Sequence, residues 1–164
     1  GSLTPMRFPP PALGQDYGIV GIIDSGADPN NELLRPWIVG RLELHPREYQ
    51  DNDHGSFVAG LIANGRSLNH NDSRFPAASC KIVDVVAFDA TGEADEDDLL
   101  FAIDEGIRNF PEVKVWNLSL ALTGPPCNDN EFSLFGAALD ERTRQHNVLF
   151  VVAAGNYDVK PYRG

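Results

Sequence analysis

Tyr17-Gly18-Ile19-Val20-Gly21-Ile22-Ile23-Asp24-Ser25-Gly26 is an almost wholly apolar run that stops abruptly at a carboxylate followed by a small, flexible pair. Such a run reads as a buried parallel strand delivering an acid to the rim of its sheet, because strands covered on both faces lose the polar alternation of half-exposed ones. In open α/β sheets that rim is where ligands bind. Asp also starts Asx turns and Ser-Gly suits a tight reversal, so Asp24 taken alone is as well explained by a turn as by chemistry. The chain on either side decides between the two.

Upstream, Pro5, Pro9, Pro10 and Pro11 have no backbone N–H to give, and residues 1–16 are expected as an extended arm over the domain formed by residues 17–164. Downstream, Asp28-Pro29-Asn30-Asn31 offers turn chemistry and Glu32-Leu33-Leu34-Arg35 a brief helical turn. The stretch from Pro36 to His45-Pro46 reads as irregular. Asp51 to Gly65 predicts a short buried helix, with Val58, Leu61 and Ile62 at i, i+3 and i+4, acids at its start and Asn64-Gly65 as its stop. His54 lies at its N-terminal end. Small residues at 55, 59, 60 and 63 let this helix approach the sheet closely, at about 1 kcal/mol of propensity per interior Gly.

Lys81 to Phe88 is a second buried strand, apolar apart from Asp84, for which the sequence supplies no account. A turn at Asp89-Ala90-Thr91-Gly92 leads to a helix from about Asp95 to Asn109, with Leu99, Leu100, Ile103 and Ile107 on one stripe. Its acids, Glu96 to Asp98, suit the N-terminal end of the helix dipole. Val113 to Leu122 is the third strand. Asn128-Asp129-Asn130 caps a helix to about Gln145, with Phe132, Phe135, Gly136 and Leu139 facing inward. Val148 to Ala153 is the fourth strand, ending in Ala154-Gly155-Asn156. Strands alternating with helices make an α/β fold, a parallel sheet with helices on both faces.

With 164 residues, 42% of them hydrophobic, the chain suits one domain with one real core. Thirteen basic against 24 acidic side chains leave a net charge of −11, which argues against a nucleic-acid partner. No apolar run approaches the roughly 18–20 residues of a membrane span, and no basic-then-apolar signal segment opens the chain, so no membrane association is expected. Cys80 and Cys127 form no C-x-x-C motif or disulfide framework, which inclines the reading toward a reducing, cytoplasmic compartment. His45, His70 and His146 lack metal-ligand spacing, against zinc.

Asp24 ends a strand, His54 opens a helix and Asn156 follows a strand, so all three are expected on one rim of one sheet. A carboxylate orienting a His, with an amide donor nearby, is the apparatus of acyl transfer: the His moves the proton and the amide binds a developing oxyanion. Singly, each has a duller explanation, since a lone His is usually surface or core and a Gly-Asn after a strand is usually a turn.

Four stretches carry a resemblance to the subtilisin-like serine proteases, or subtilases: Gly21 to Gly26, Asp53-His54-Gly55-Ser56-Phe57-Val58-Ala59-Gly60, Val115-Trp116-Asn117-Leu118-Ser119-Leu120 and Val151-Val152-Ala153-Ala154-Gly155-Asn156. They stand in the family's order on a compatible α/β pattern and cover the chain from about Tyr17 onward. The resemblance implies a subtilisin-like fold, with Asp24 the orienting carboxylate, His54 the general base and acid and Asn156 the oxyanion donor. It also implies that Ser119, Leu120 and Ala121 offer a strand edge to an extended peptide or protein substrate.

Three departures from the family's pattern stand out. Ser56 and Phe57 replace a Thr and a second His beside the base, a change of packing more than of chemistry. Ala121 stands where a glycine is common, which narrows the way into the side-chain pocket. The third is that no Gly-Thr-Ser nucleophile motif occurs among the 164 residues, and the serines at 25, 56, 67, 73, 79, 119 and 133 lie in the wrong context to replace it. The chain therefore reads as the N-terminal part of a peptidase domain, its fold incomplete, and as inactive alone.

The leading reading is a serine endopeptidase working through an Asp-His-Ser triad; its alternative is a pseudoprotease or peptide-binding module using the strand edge alone. A phosphate- or metal-using α/β enzyme built on Asp24 to Asp28 is disfavoured, since no G-x-G-x-x-G or P-loop occurs and the His and Asn motifs would go unexplained. No cofactor is required on the leading reading. A structural Ca²⁺ is common in subtilases, but no pattern here fixes a site. An ATPase partner rests only on the analogy of bacterial subtilases encoded beside one. Val148 to Ala153, lacking a next neighbour in this sequence, is expected as an unpaired edge prone to self-association.

Overall fold

The computed structural model describes residues 8–68, 72–74, 79–91, 94–120 and 129–154. Five parallel strands make one sheet: β1 (Gly18–Asp24), β2 (Ile38–Glu43), β3 (Cys80–Val86), β4 (Val115–Leu120) and β5 (Leu149–Ala154), in the spatial order β2-β3-β1-β4-β5. The strand that ends in Asp24 is thus central. It pairs with β3 along its whole length, Asp24 opposite Val86, and with β4 from Val20 opposite Val115 to Ile23 opposite Leu118.

Alternation along the strands divides the core in two. On one face Ile22 and Ile82 pack with Ala59 and Ala63 of helix α1 (Asp53–Leu68) and with Leu34 and Trp37. On the other, Ile23, Val83 and Val85 meet Leu99, Ala102, Ile103 and Ile107 of α2 (Glu96–Asn109) and Phe135 and Leu139 of α3 (Asp129–His146). The central strands are therefore covered on both faces, as a parallel sheet requires, while Leu149, Val151 and Val152 of β5 are exposed. The steps β2 to β3, β3 to β4 and β4 to β5 all run in one direction across the sheet, yet α1 lies on the opposite face from α2 and α3. The crossover through α1 therefore has the opposite hand to the other two, and the three cannot all be the usual right-handed kind.

The proline-rich segment packs on the α1 face: Phe8 joins that cluster and the Pro9 carbonyl accepts from the Trp37 indole N–H at 3.0 Å. Where the sequence suggests an irregular stretch after Pro36, the structure has a 3₁₀ turn at Arg35–Trp37 and then β2. This strand hides from pattern reading because among the described residues it is an edge bonded to β3 alone, with a register shift between Ile38 and Gly40, exposed Val39 and two charged residues. Edge strands are commonly charged and irregular in this way. Helix α1 loses helical geometry at Asn64 (φ −150°, ψ 49°), where the Asn-Gly stop is expected, but resumes and continues to Leu68. Asp95 caps α2 by accepting from the Asp98 N–H at 2.8 Å.

Asp84, unexplained by sequence, is buried in β3 and bonded from two sides. Its Oδ2 accepts from the Ala27 N–H at 3.0 Å and from Arg41 Nη1 at 2.7 Å. Burial nevertheless raises its pKa to about 6, with the nearby Asp24 and Glu43 charges pushing the same way and the Ala27 and Arg41 contacts opposing.

Two predictions follow from this packing. The Trp116 ring fills the space that Gly21 and Gly106 leave by having no side chain, and a Cβ at Gly21 would overlap it. Gly21→Ala is expected to cost about 1–3 kcal/mol in urea unfolding, the range for overfilling a packed core, and Trp116→Leu in the same chain to recover part of it. The second concerns pH. Asp84 binds its proton more tightly folded than unfolded, so its contribution to stability is complete below about pH 4 and is lost as pH rises through about 6. The stability difference between wild type and Asp84→Asn is expected to fall by on the order of 2 kcal/mol between those limits. Arg41 keeps its ion pair with Glu43 in the variant and stays charged throughout, so a difference that grew with pH would contradict the assignment.

Candidate active site

Asp24 is fixed first through its backbone. Its carbonyl accepts from the Ala87 N–H at 2.8 Å and the Phe88 N–H at 3.3 Å, which ties the end of β1 to the chain leaving β3. Its carboxylate is buried, accepts from the Ser25 N–H and lies against the His54 ring, with Nδ1 at 3.0 Å from Oδ1 and 2.8 Å from Oδ2. The carboxylate side chain is 2% exposed and the imidazole 65%. A carboxylate only accepts, so Nδ1 carries the proton in this contact and Nε2 of the neutral ring keeps its lone pair. Among the described residues nothing bonds to Nε2.

Residues 30 positions apart meet because two loops touch through their backbones. Gly26 has φ of +86°, a conformation side chains other than Gly rarely adopt, and this turns the chain sharply after Asp24. Gly55, next to His54, lies so close that a Cβ there would overlap the Gly26 peptide. Hydrogen bonds stitch the two loops together. Ser25 Oγ accepts from the Gly55 N–H at 3.1 Å, Ser56 Oγ from the Asp28 N–H at 2.8 Å, and the Ser25 carbonyl from Asn52 Nδ2 at 3.0 Å. Ser56, expected to alter packing more than chemistry, bonds across the junction, while Phe57 is exposed.

Ser119 and Leu120 lie in β4, one and two residues past Leu118, the last residue of that strand registered against β1. On their other flank they pair with Ala153 and Ala154 of β5. Beside the end of β1 the β4 backbone therefore outlasts its neighbour. Ser119 is buried, and its Oγ has no hydrogen-bond partner among the described residues. Ala121 and Asn156 lie outside the described residues.

Sequence reasoning missed the supports of the pair. Ser25, Asn52 and Ser56 sit inside or beside the quoted motifs, but nothing in a linear pattern shows that their polar groups meet. Arg41 belongs to the unforeseen β2, and only the isolated charge of Asp84 in an apolar strand signalled it. Among the described residues no group of three or more His, Cys, Asp or Glu side chains is placed to hold a metal ion. An open cleft of about 570 Å³ between α2 and α3, lined by Asp104, Arg108, Lys114, Glu141 and Arg142 among others, shares no residue with the pair.

Known proteins are similar to this chain. The chain is 30% identical over 137 residues to the minor extracellular protease Epr of Bacillus subtilis (strain 168), a match covering 84% of this chain and 20% of that protein. A cold-adapted subtilisin-like serine proteinase of known crystal structure superposes with a TM-score of 0.50 at 21% identity, over 85% of this chain and 47% of that one. The chain thus spans a fifth of one relative and about half of the other, and the structural likeness concerns the fold. The sequence profile of the subtilase family matches residues 17–163, and the chain belongs to that family.

Proposed function

We propose that this chain supplies the Asp-His half of a serine endopeptidase site. Asp24 orients and stabilises His54, and His54 takes a proton from a nucleophile and returns it to the leaving amine. The observation that carries the reading is the contact of a buried carboxylate with Nδ1 of an exposed imidazole, at 2.8 Å. That arrangement sets the tautomer in which Nε2 is the base, and it leaves the base reachable. Family membership supports the same reaction class. Asn156 is proposed as the oxyanion donor, and the β4 backbone at Ser119 and Leu120, with Ala121, as the edge against which a peptide or protein substrate pairs.

The nucleophile is not among these 164 residues: no Gly-Thr-Ser occurs in the sequence. By this proposal the chain alone is inactive, because His54 has no serine hydroxyl to deprotonate. The same observation favours a second reading, a pseudoprotease or peptide-binding module that uses the β4 edge without chemistry. A complete protein carrying the Ser motif separates the two by its peptidase activity.

Three outcomes are expected. Treatment of this chain with a serine-directed phosphonate leaves its mass unchanged, whereas stoichiometric labelling of any serine would overturn the inactivity of the chain alone. In an active complete protein, Asp24→Asn lowers kcat by roughly 10⁴, the scale on which a triad His in the wrong tautomer fails. A loss under tenfold would remove Asp24 from the proposed role. Gly55→Ala, whose Cβ meets the rigid Gly26 peptide, displaces the start of α1 and abolishes the Asp24–His54 contact, read as loss of the His54 Nδ1–H proton resonance.

A further inference from the structure

We propose that Arg41, anchored by Asp84, is a positioning residue for the Asp24–His54 pair: it ties the loop that follows Asp24 to the segment that leads into His54. This rests on the Asp-His reading above and extends it to a residue of the edge strand β2 that belongs to none of the four family-like stretches.

Both peptide groups of Ala27 are held. Its N–H donates to Asp84 Oδ2 at 3.0 Å and its carbonyl accepts from Arg41 Nη1 at 2.6 Å, while Nη1 also reaches Asp84 Oδ2 at 2.7 Å. The other arm of the guanidinium, Nη2, donates to Gln50 Oε1 at 3.3 Å. Gln50 Oε1 also takes a bond from Asn52 Nδ2 at 3.2 Å, and Asn52 Nδ2 returns to the Ser25 carbonyl at 3.0 Å. The circuit closes: Ser25, Ala27, Asp84, Arg41, Gln50, Asn52 and Ser25 again. Asp24 is the residue before one end of it and His54 is two residues after the other. Gln50 is fixed in turn by donating to the His45 carbonyl at 2.8 Å, and Arg41 Nε by Glu43 Oε1 at 2.9 Å.

Stability alone does not account for this cluster. A buried ion pair is often no more stabilising than apolar residues filling the same volume. What an apolar pair lacks is the ability to bond peptide and amide groups on two separate loops at once. A planar fork with five donors does this, and a lysine ammonium on one point does not. Arg41 is also mostly enclosed, with its side chain 18% exposed and Asp84 at 2%, so the circuit is shielded from competing water.

The test is proton NMR of this chain, recorded in the cold, following the His54 Nδ1–H resonance and its exchange with solvent. Arg41→Lys keeps a positive charge beside Asp84 and loses the link to Gln50. The double variant Arg41→Met/Asp84→Leu removes both buried charges and covers the case in which Arg41→Lys does not fold. In either folded variant, with β1 and β3 amides still protected, exchange of the His54 ring proton is expected to be about tenfold faster, the change that loosening a charge-assisted hydrogen bond produces. If the resonance responds to Asp24→Asn but keeps its wild-type exchange in the folded Arg41 variants, the pair stands and the positioning role falls. If the wild-type resonance is indifferent to Asp24→Asn, the Asp-His reading fails and this proposal with it.

Discussion

The backbone of Gly26 pressed against Gly55 is the constraint on which the site depends. Gly55 could not lie this close to the Gly26 peptide if it carried a side chain, and Gly26, without one, adopts the positive φ of the turn and leaves room for Val86. The strand end and the helix start are therefore brought together by what those residues lack. Once they touch, short polar side chains can bridge them, and Ser25, Asn52 and Ser56 all do so by bonding to backbone groups. Such bonds satisfy peptide groups that the turn and the first turn of α1 would otherwise leave unpaired. Satisfying the backbone and positioning the functional pair are thus accomplished by the same contacts.

The sheet order adds a second constraint. With β1 in the centre, Asp24 is flanked on one side by β3, whose chain continues into the N–H groups of Ala87 and Phe88, and on the other by β4, which runs on past it. A carboxylate on an edge strand would have water on one side. Here it is buried and has been given its donors by the protein. The opposite hand of the β2–α1–β3 crossover belongs to the same geometry, since it sets α1 on the face away from α2 and α3 while its first turn reaches the rim at Asp24.

Much of this was legible in the sequence because its strongest signals are local. Apolar runs mark β1, β3, β4 and β5, the 3.6-residue stripe marks α2, and caps and turns bound them. The convergence of Asp24 and His54 was legible as well, since both stand at the rim end of their elements. What was not legible is tertiary. Strand β2 lacks an apolar period because, among the described residues, it is an edge paired on one side, so the stretch that holds Arg41 and Glu43 reads as irregular. Asp84 could be seen as an anomaly in β3, but its partners come from β2 and from the loop after β1, and no spacing along the chain encodes that meeting. The Asn64-Gly65 pair reads as a helix end because such a pair commonly stops a helix, and here the helix breaks at Asn64 but resumes beyond it.

The asymmetry of the pair bears on how the imidazole is held. A ring 65% exposed has few packing contacts to fix its rotamer, so its orientation must come from polar contact. A hydrogen bond to an ionised group is worth about 1.5–3 kcal/mol net, which favours the bonded rotamer roughly ten- to a hundredfold over one turned to solvent. Turning the ring away would also strip a buried carboxylate of one of its donors, a cost that adds to the lost bond. The burial of Asp24 is thus what restrains the exposed His54. A carboxylate left in water would find other donors and hold the ring weakly. The buried one has Ser25 N–H and His54 Nδ1–H to accept from, and the supports around Ala27 and Ser25 keep it where that choice is enforced.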